Sequence, residues 1–495
     1  MSVTTIQKMP GDGIGSPPST PEEWMDFLKG KLASQKGKFR RFGDYYDGRH
    51  QRMLFAQAKY ESAFADVFSR WSDNFCGLVI DSVGERLAVE GFRMTDEPQA
   101  DKEARRIWQR NHLDAESASG HLDAMTQGSA YVIVWADQDG EPTITVESAE
   151  TTVVQFKPGS RREVEAAAKF FTDDWGREHC TLWLKDVVCK GGPSPFGYKI
   201  DETEKNPLKV VPVVPLQNRT RLLGDPMSDL APIIPLQDAI NKVTADALVA
   251  SEYAAWPQRY VTGLEIQEDE HGRPVEPFRV AVDKLLQAED PSASFGQFEA
   301  ADLSNYVSLV DLLTMHLASV ARVPFHYLLK GGQVPSGDSI TSAEAGLIAK
   351  TRERMLHFGE SWEAVMRLAF LVKKDKERAD AFEAEVMWKD PENRTEAQHM
   401  DALLKLQMLN VPKQQLWLDA GYTPQQIERF QGLLEDEAKT EMEMADKYQT
   451  QAEKAALVQQ HQDVPPGGGD ETARKAARKP PQGNSGNAAR EKAGR

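Results

Sequence analysis

Cysteine is scarce in this chain: Cys76, Cys180 and Cys189 are the whole complement in 495 residues. They are scattered, with no Cys-x-x-Cys pair, and an odd number cannot close into a disulfide framework. This usage fits a reducing compartment and gives no zinc site; Cys180 and Cys189 read as free thiols in a core or strand. Long apolar runs are missing too, since none reaches the ~18 residues that a membrane helix needs. The ten histidines contain no His-x-x-x-His pair, and the chain has no Gly-x-Ser-x-Gly. No glycine loop ends in Gly-Lys-Ser/Thr. Zincin, serine-hydrolase and P-loop chemistry therefore lack their signatures. Positive charge is in deficit: 59 Lys and Arg stand against 76 Asp and Glu, a net charge of −17.

The deficit is uneven. After Asp463 seven basic residues face three acidic ones, a tail of +4, which leaves −21 on the remainder. So acidic a body repels nucleic-acid phosphates rather than gripping them. The tail contains Pro465-Pro-Gly-Gly-Gly469 and reads as disordered. Hydrophobic residues make up 40% of the chain and aromatics 8%, enough for folded cores, and the length allows two to four domains. Residues Met1 to Thr20 are rich in Gly, Pro, Ser and Thr without an apolar stretch, which reads as a flexible arm and not a secretory signal.

Helical grammar begins at Thr20-Pro-Glu-Glu23. Thr20 is the N-cap, Pro21 takes the first helical position and Glu23 closes a capping box. A second helix is spaced by Phe64, Phe68, Trp71, Phe75, Val79 and Val83. Leu87 to Phe92 reads as a strand, followed by short helices near Lys102 to Gln109 and His121 to Thr126. From Ala130 the period changes to two. Strands are expected at 131–135, 143–146, 152–156, 168–172, 180–184 and 198–200, with hairpin turns at Asp137 to Glu141 and Asp173 to Gly176. The prolines of Lys209 to Pro215 make that run an edge strand or connector. Residues ~25–225 thus form an α+β domain with a mostly antiparallel sheet.

The stretch from Asp225 to Val372 is the most informative. Leu236, Ile240, Val243 and Ala247 mark one helix, and a proline-containing, β-type insert follows. A second helix, about Asn305 to Arg322, is apolar on nearly every side through Val307, Leu309, Val310, Leu312, Leu313, Leu317 and Val320. A helix without a polar face needs other helices around it. The polar loop Lys330-Gly-Gly-Gln-Val-Pro-Ser-Gly337 comes next. A long helix marked by Ile348, Met355, Trp362, Val365 and Ala369 follows. Beyond Asp390-Pro-Glu-Asn393 the chain is helical, and its last helix loses its apolar stripe after Leu434.

Motifs that suggest chemistry have bland counterparts. Gly11-Asp-Gly-Ile-Gly15 has no strand before it and Ser16-Pro-Pro18 after it, so it reads as part of the arm and not a nucleotide loop. The loop at Gly331, Gly332 and Gly337 precedes a capping box, Thr341-Ser-Ala-Glu344. It is either a phosphate-facing helix start aided by Lys330 or a helix connector. Asp173-Asp174 belongs to a turn; His316 and His326 read as core or interface residues. No catalytic, metal or cofactor constellation emerges.

Several segments taken in order are familiar. They are Tyr46-Asp-Gly48, Asn74 to Asp81, Glu85 to Phe92, Gly224-Asp-Pro226, Leu236 to Asn241, Leu317 to His326 and Ser342 to Gly346. Together they resemble the portal proteins of long-tailed bacteriophages, siphophage type, especially those infecting actinobacteria. The resemblance covers about residues 20–435 and rests on order and spacing. It implies a portal fold with wing, helical stem, small β-rich clip and helical crown. It also implies a ring of typically twelve copies at one capsid vertex, through which double-stranded DNA enters and leaves. Implied partners are terminase, a head–tail adaptor, major capsid and scaffold proteins, and non-specific DNA. The implied setting is the virion, with assembly in the host cytoplasm.

Carried onto this chain, the resemblance makes 1–19 an arm, 20–228 the wing, 229–254 and 304–322 the stem helices, and 255–303 the clip. Residues 323–341 become a tunnel loop, 342–390 the long helix with a return to the wing, 391–460 the crown, and 461–495 a basic tail. Lys330, Gly331, Gly332, Gln333, Ser336 and Gly337 would face DNA. Leu309, Leu312, Leu313 and Leu317 would pack between copies. Two other readings stand beside it, the large terminase subunit and another minor virion protein. The first needs a Walker A loop and an acidic Mg²⁺ cluster, which are not evident in the sequence.

Overall fold

The computed structural model describes residues 17–49, 73–94, 100–195, 197–255, 259–263, 271, 291–297, 302–328, 337–392, 396–422 and 424–462. The N-terminal arm, the helix start at Phe64 to Trp71, most of the insert 255–303, the loop Lys330 to Ser336 and the basic tail lie outside the described residues. The chain divides into two units, 1–392 and 393–495. Its architecture is α+β.

Helix α1 (Pro21–Tyr46) opens on the expected box. Thr20 Oγ1 accepts from the Glu23 amide at 3.3 Å, and Glu23 Oε2 accepts from the Thr20 amide at 3.2 Å. Its buried residues recur every three or four positions, from Trp24, Met25, Leu28 and Leu32 to Phe39, Phe42 and Tyr45. The first four join one core, Phe39 a second, and Phe42 and Tyr45 the main core. One helix thus stitches three cores together. Helix α2 (Phe75–Gly84) is capped by Asn74, whose Oδ1 accepts from the Gly77 amide at 3.1 Å. Strand β1 (Val89–Arg93) and helices α3 (Lys102–Arg110) and α4 (Leu113–Gln127) follow. Helix α4 begins eight residues before the expected start, because Asp114 to Ser119 carries no apolar stripe to announce it.

The β region resolves into β2 (Ser129–Ala136), β3 (Pro142–Ser148), β4 (Thr152–Phe156), β5 (Val164–Thr172), β6 (Glu178–Leu184), β7 (Val187–Ser194), β8 (Gly197–Lys205) and β9 (Val213–Gln217). Strands β4 to β8 form an antiparallel meander, and β3-β2-β9 a second antiparallel sheet with β9 at its edge. The edge position suits the prolines there. Gly128 joins α4 to β2 at φ +100°, and a Cβ there would stand 2.9 Å from the Pro226 carbonyl oxygen, so only glycine fits.

Helix α5 (Ile234–Ala255), the antiparallel pair β10 (Arg259–Thr262) and β11 (Ser294–Gln297), and helix α6 (Ser304–Ala321) come next. Helix α7 (Gly337–Val372), helix α8 (Lys376–Ala379) and strand β12 (Glu385–Trp388) complete the first unit. Strand β12 pairs with β1, almost 300 residues earlier in sequence. The second unit holds α9 (Glu396–Met408), α10 (Lys413–Asp419) and α11 (Pro424–Gln462). Gly421, at φ +86°, follows the end of α10.

Helix α7 is the spine of the main core. Leu347, Met355, Phe358, Trp362, Val365, Met366, Ala369 and Phe370 are buried in it. Trp362 packs edge-on against Trp108 at 5.1 Å, and Phe358 stacks on His121 at 5.1 Å. The Trp362 indole N–H donates to His121 Nε2 at 2.8 Å, so this imidazole nitrogen is an acceptor. Burial pushes His121 down to about 3. One turn towards the start of α7, Arg354 Nη2 donates to the buried Asp229 at 3.0 Å. Lys350 Nζ pairs with the other Asp229 oxygen at 3.2 Å and donates to the Ala321 carbonyl at 3.3 Å. Asn218 Nδ2 adds a bond to Asp229 at 3.2 Å. Burial alone would push Asp229 up; Lys350 and Arg354 outweigh it and hold the carboxyl below its usual range.

Two outcomes follow from these buried groups. A histidine depressed in the folded state contributes stability above its unfolded value of ~6.5, and that contribution is lost as pH falls towards 3. Denaturant midpoints measured from pH 7 to 4 should fall for the native chain, by up to ~1.4 kcal/mol per pH unit from this group. His121→Gln keeps an acceptor for Trp362 and should flatten that slope; an unchanged slope refutes the assignment. Asp229→Asn leaves Lys350 buried without a counter-charge and Arg354 with only the half-exposed Glu353, and should cost ~3–5 kcal/mol of stability at pH 7.

Candidate functional site

Helix α6 carries one charged residue, Asp311, in eighteen. A helix this apolar has more greasy surface than one contact face can cover. Its inner face is Thr314, Leu317, Ala318 and Ala321, all buried, with Val310 and Leu313 half-buried against the main core. Large apolar side chains elsewhere on the helix are uncovered: on the opposite side Leu309 is 42% exposed, Leu312 44%, Met315 46% and Val320 51%, interspersed with the exposed Ser308, Asp311, His316 and Ser319, and towards the helix start Val307 is 60% exposed. Fully burying such a side chain contributes ~1.5–3 kcal/mol. Five of them half-exposed therefore leave about 5 kcal/mol of apolar burial unused on one helix. Contiguous apolar surface of this kind marks an association surface.

This divides the four leucines expected to pack between copies. Leu309 and Leu312 lie on the uncovered side, and Leu313 lies at its border. Leu317 is a correction: it is fully buried in the chain's own core, so it is not available to a neighbour. Periodicity could not separate them, because both faces are leucine-rich. His316 is exposed on α6, and His326 is half-buried with its ring against Tyr327 at 4.8 Å.

Of the six residues expected to face DNA, Lys330, Gly331, Gly332, Gln333 and Ser336 lie outside the described residues. Gly337 is the first residue of α7. The described chain on either side of that loop is fastened to the body. Helix α6 ends at Arg322 in the left-handed region, φ +58°. A short 3₁₀ turn, Phe325–Tyr327, then brings the Tyr327 hydroxyl between Arg86 Nη2 at 3.0 Å and Glu344 Oε1 at 2.9 Å. The Arg86 and Glu344 side chains are less than a tenth exposed, and they approach to 3.6 Å. A residue just before the loop and one in the helix after it thus share a buried cation from the end of α2. Sequence reasoning missed Arg86, because nothing local links it to positions more than two hundred residues away.

Among the described residues no group of three or more His, Cys, Asp or Glu side chains could hold a metal ion. The three cysteines are buried and free, and burial pushes the thiols of Cys76 and Cys180 up to about 12. No described helix is long and apolar enough to cross a membrane. What the described arrangement offers is a surface for association, on α6.

Comparison with known proteins agrees with that character. The family model described as phage portal protein, SPP1 Gp6-like, matches residues 26–442. The portal protein of Mycobacterium phage L5 is 31% identical over 384 residues, covering 73% of this chain and 78% of the relative. The portal protein of Mycobacterium phage D29 is 30% identical over 391 residues, with the same shares covered. The match runs along most of the chain, and the chain belongs to the phage portal protein family.

Proposed function

We propose that the chain closes into a ring, typically of twelve copies, at one vertex of the capsid. Double-stranded DNA would be packaged and ejected through its channel. The outer surface would dock terminase during packaging and a head–tail adaptor afterwards, with major capsid and scaffold proteins as assembly partners. The single observation that carries this reading is the uncovered apolar side of α6 in a chain of the portal family. A cyclic assembly needs two different, complementary patches on every copy. An all-round apolar helix supplies one face to its own subunit and the other to a neighbour.

On this reading α1 to β9 form the wing, α5 and α6 the stem, and the segment around β10 and β11 the clip. Residues 323–341 are the tunnel loop, and α7 is the long helix that supports it. Helices α9 to α11 form the crown. The terminase alternative has no support in the family match, which is to portal proteins. The function is mechanical: no cofactor is required, and the virion is its site of action.

The stem is testable through α6. Leu309→Asp combined with Leu312→Asp should shift the purified chain from rings to monomers in mass photometry while leaving its circular dichroism unchanged, because both side chains are already solvated in the single subunit. Rings of undiminished abundance would refute the stem assignment. The loop is testable through Lys330→Glu, which should alter packaged DNA length or DNA retention in particles with ring assembly unaffected. Unchanged packaging and retention would remove Lys330 from the channel.

A further inference from the structure

The turn between β5 and β6 holds an indole out into solvent. Trp175 is 79% exposed, yet the turn beneath it is tightly braced. Asp173 Oδ1 accepts from the amides of Trp175 at 3.0 Å and Arg177 at 2.8 Å. Asp173 Oδ2 takes Arg177 Nε at 2.7 Å and lies 3.1 Å from His179 Nε2. Gly176 supplies the left-handed step at φ +77°, and the Arg177 guanidinium lies 5.4 Å from the indole centroid. A tryptophan fixed on a rigid turn loses little freedom on docking, and tryptophan is the residue most enriched where binding energy concentrates.

The other end of β5 borders a cleft of about 1220 Å³. Its walls are α7, the chain after β9, the β4–β5 turn and the segment leading into β12. Three large apolar side chains on its lining are mostly solvent-exposed: Leu222 at 81%, Leu356 at 67% and Phe382 at 80%. The Arg367 guanidinium covers one side of the Phe382 ring at 5.6 Å. The β4–β5 turn adds Arg161 and Arg162 to the lining, and Arg161 donates to the Arg221 carbonyl at 2.8 Å. The α7 wall carries Glu360 and Glu363, and the chain at β12 adds Glu383 and Glu385.

Knob and cleft cannot meet within one chain. They lie at opposite ends of a nine-residue strand, about 30 Å apart. In a ring whose contacts are heterologous, such a pair of unlike patches is what two neighbours bring together. The tip offers an aromatic ring between the exposed carboxylate of Asp174 and the Arg177 guanidinium; the cleft offers an aliphatic and aromatic lining with Arg161, Arg162 and Arg367 and with Glu360, Glu363, Glu383 and Glu385. We propose that the Trp175 turn of one copy inserts into the neighbouring copy's cleft, with the indole against Leu356 and Phe382 and Asp174 facing Arg161 and Arg162. Any seating that set Asp174 against Glu360, Glu363, Glu383 or Glu385 would be repulsive, so charge favours this orientation.

This contact rests on the ring reading, and one experiment separates the two. The full chain carrying Trp175→Cys and Phe382→Cys is assembled, checked for rings by electron microscopy, and treated with a short bifunctional maleimide. The native cysteines are buried. A ladder of covalent oligomers on denaturing gels is expected from the double variant and not from either single variant. Intact rings that give no ladder overturn this contact and leave the ring reading standing. A chain that stays monomeric at every concentration overturns both. As a second measurement, Trp175→Ala should speed subunit exchange between labelled rings at least ~tenfold, and Trp175→Phe should restore most of the difference. Exchange at the native rate in Trp175→Ala overturns the contact as well.

Discussion

The docking of α7 into the body is the constraint on which the other elements depend. Its apolar stripe reaches α2, α3, α4, strand β12 of the β1–β12 pair and the β3-β2-β9 sheet, so each of these has its place through the same helix. Packing alone would let such a helix slide by a turn, since Leu, Phe and Trp recur along it. The polar contacts remove that freedom. Trp362 must find His121, and Arg354 and Lys350 must find Asp229. A slip of one turn would leave buried charges unpaired, at a cost larger than any gain in apolar contact. The charged groups thus fix register more than they add net stability.

Helix α6 poses the opposite problem. It is held by its inner face and by the Lys350 ammonium on its last carbonyl, Ala321, but its outer apolar side finds no cover within the subunit. Whatever binds that side would stabilise the fold, because it would bind only the folded form. The Arg86–Tyr327–Glu344 contact sits where this linkage enters the rest of the fold. It joins the chain after α6 to the start of α7 and to the end of α2.

How much of this could be read from the sequence depended on distance along the chain. The Thr20 box, the Asp137 and Asp173 turns and the α7 stripe at Ile348, Met355, Trp362, Val365 and Ala369 are local patterns, and the structure has them. Strand β7 was missed because Lys190, Gly191, Gly192 and Pro193 are poor strand formers; pairing with β6 and β8 overrides their preference. Strand β12 was missed because only its pairing with β1 defines it. At the candidate site, the existence of an all-apolar helix was legible, but not which leucines face inward. An amphipathic helix declares its orientation by a continuous polar face; on α6 the exposed Ser308, Asp311, His316 and Ser319 are interleaved with exposed leucines, so Leu317 and Leu312 look alike until the rest of the core is in place. Neither Arg86 nor Asp229 carried any local sign of its partners.

Charge sets the remaining condition on a channel for DNA. The chain before its basic tail carries −21, and the family's proposed task is to let a polyanion pass. Each lysine or arginine that pairs with a phosphate strengthens binding and steepens its salt dependence, so a bore lined with them would hold DNA rather than conduct it. The described structure spends many of its cations elsewhere. Lys350, Arg354 and Arg86 are buried in internal pairs, Lys373 pairs with Glu103 and Glu141, and Arg378 bridges Asp101 and Asp375. A cation committed to a buried or bridging carboxylate cannot also bind a phosphate without leaving that carboxylate unpaired. Internal pairing therefore does two jobs at once: it fixes the packing of the subunit, and it keeps those cations from gripping a passing strand.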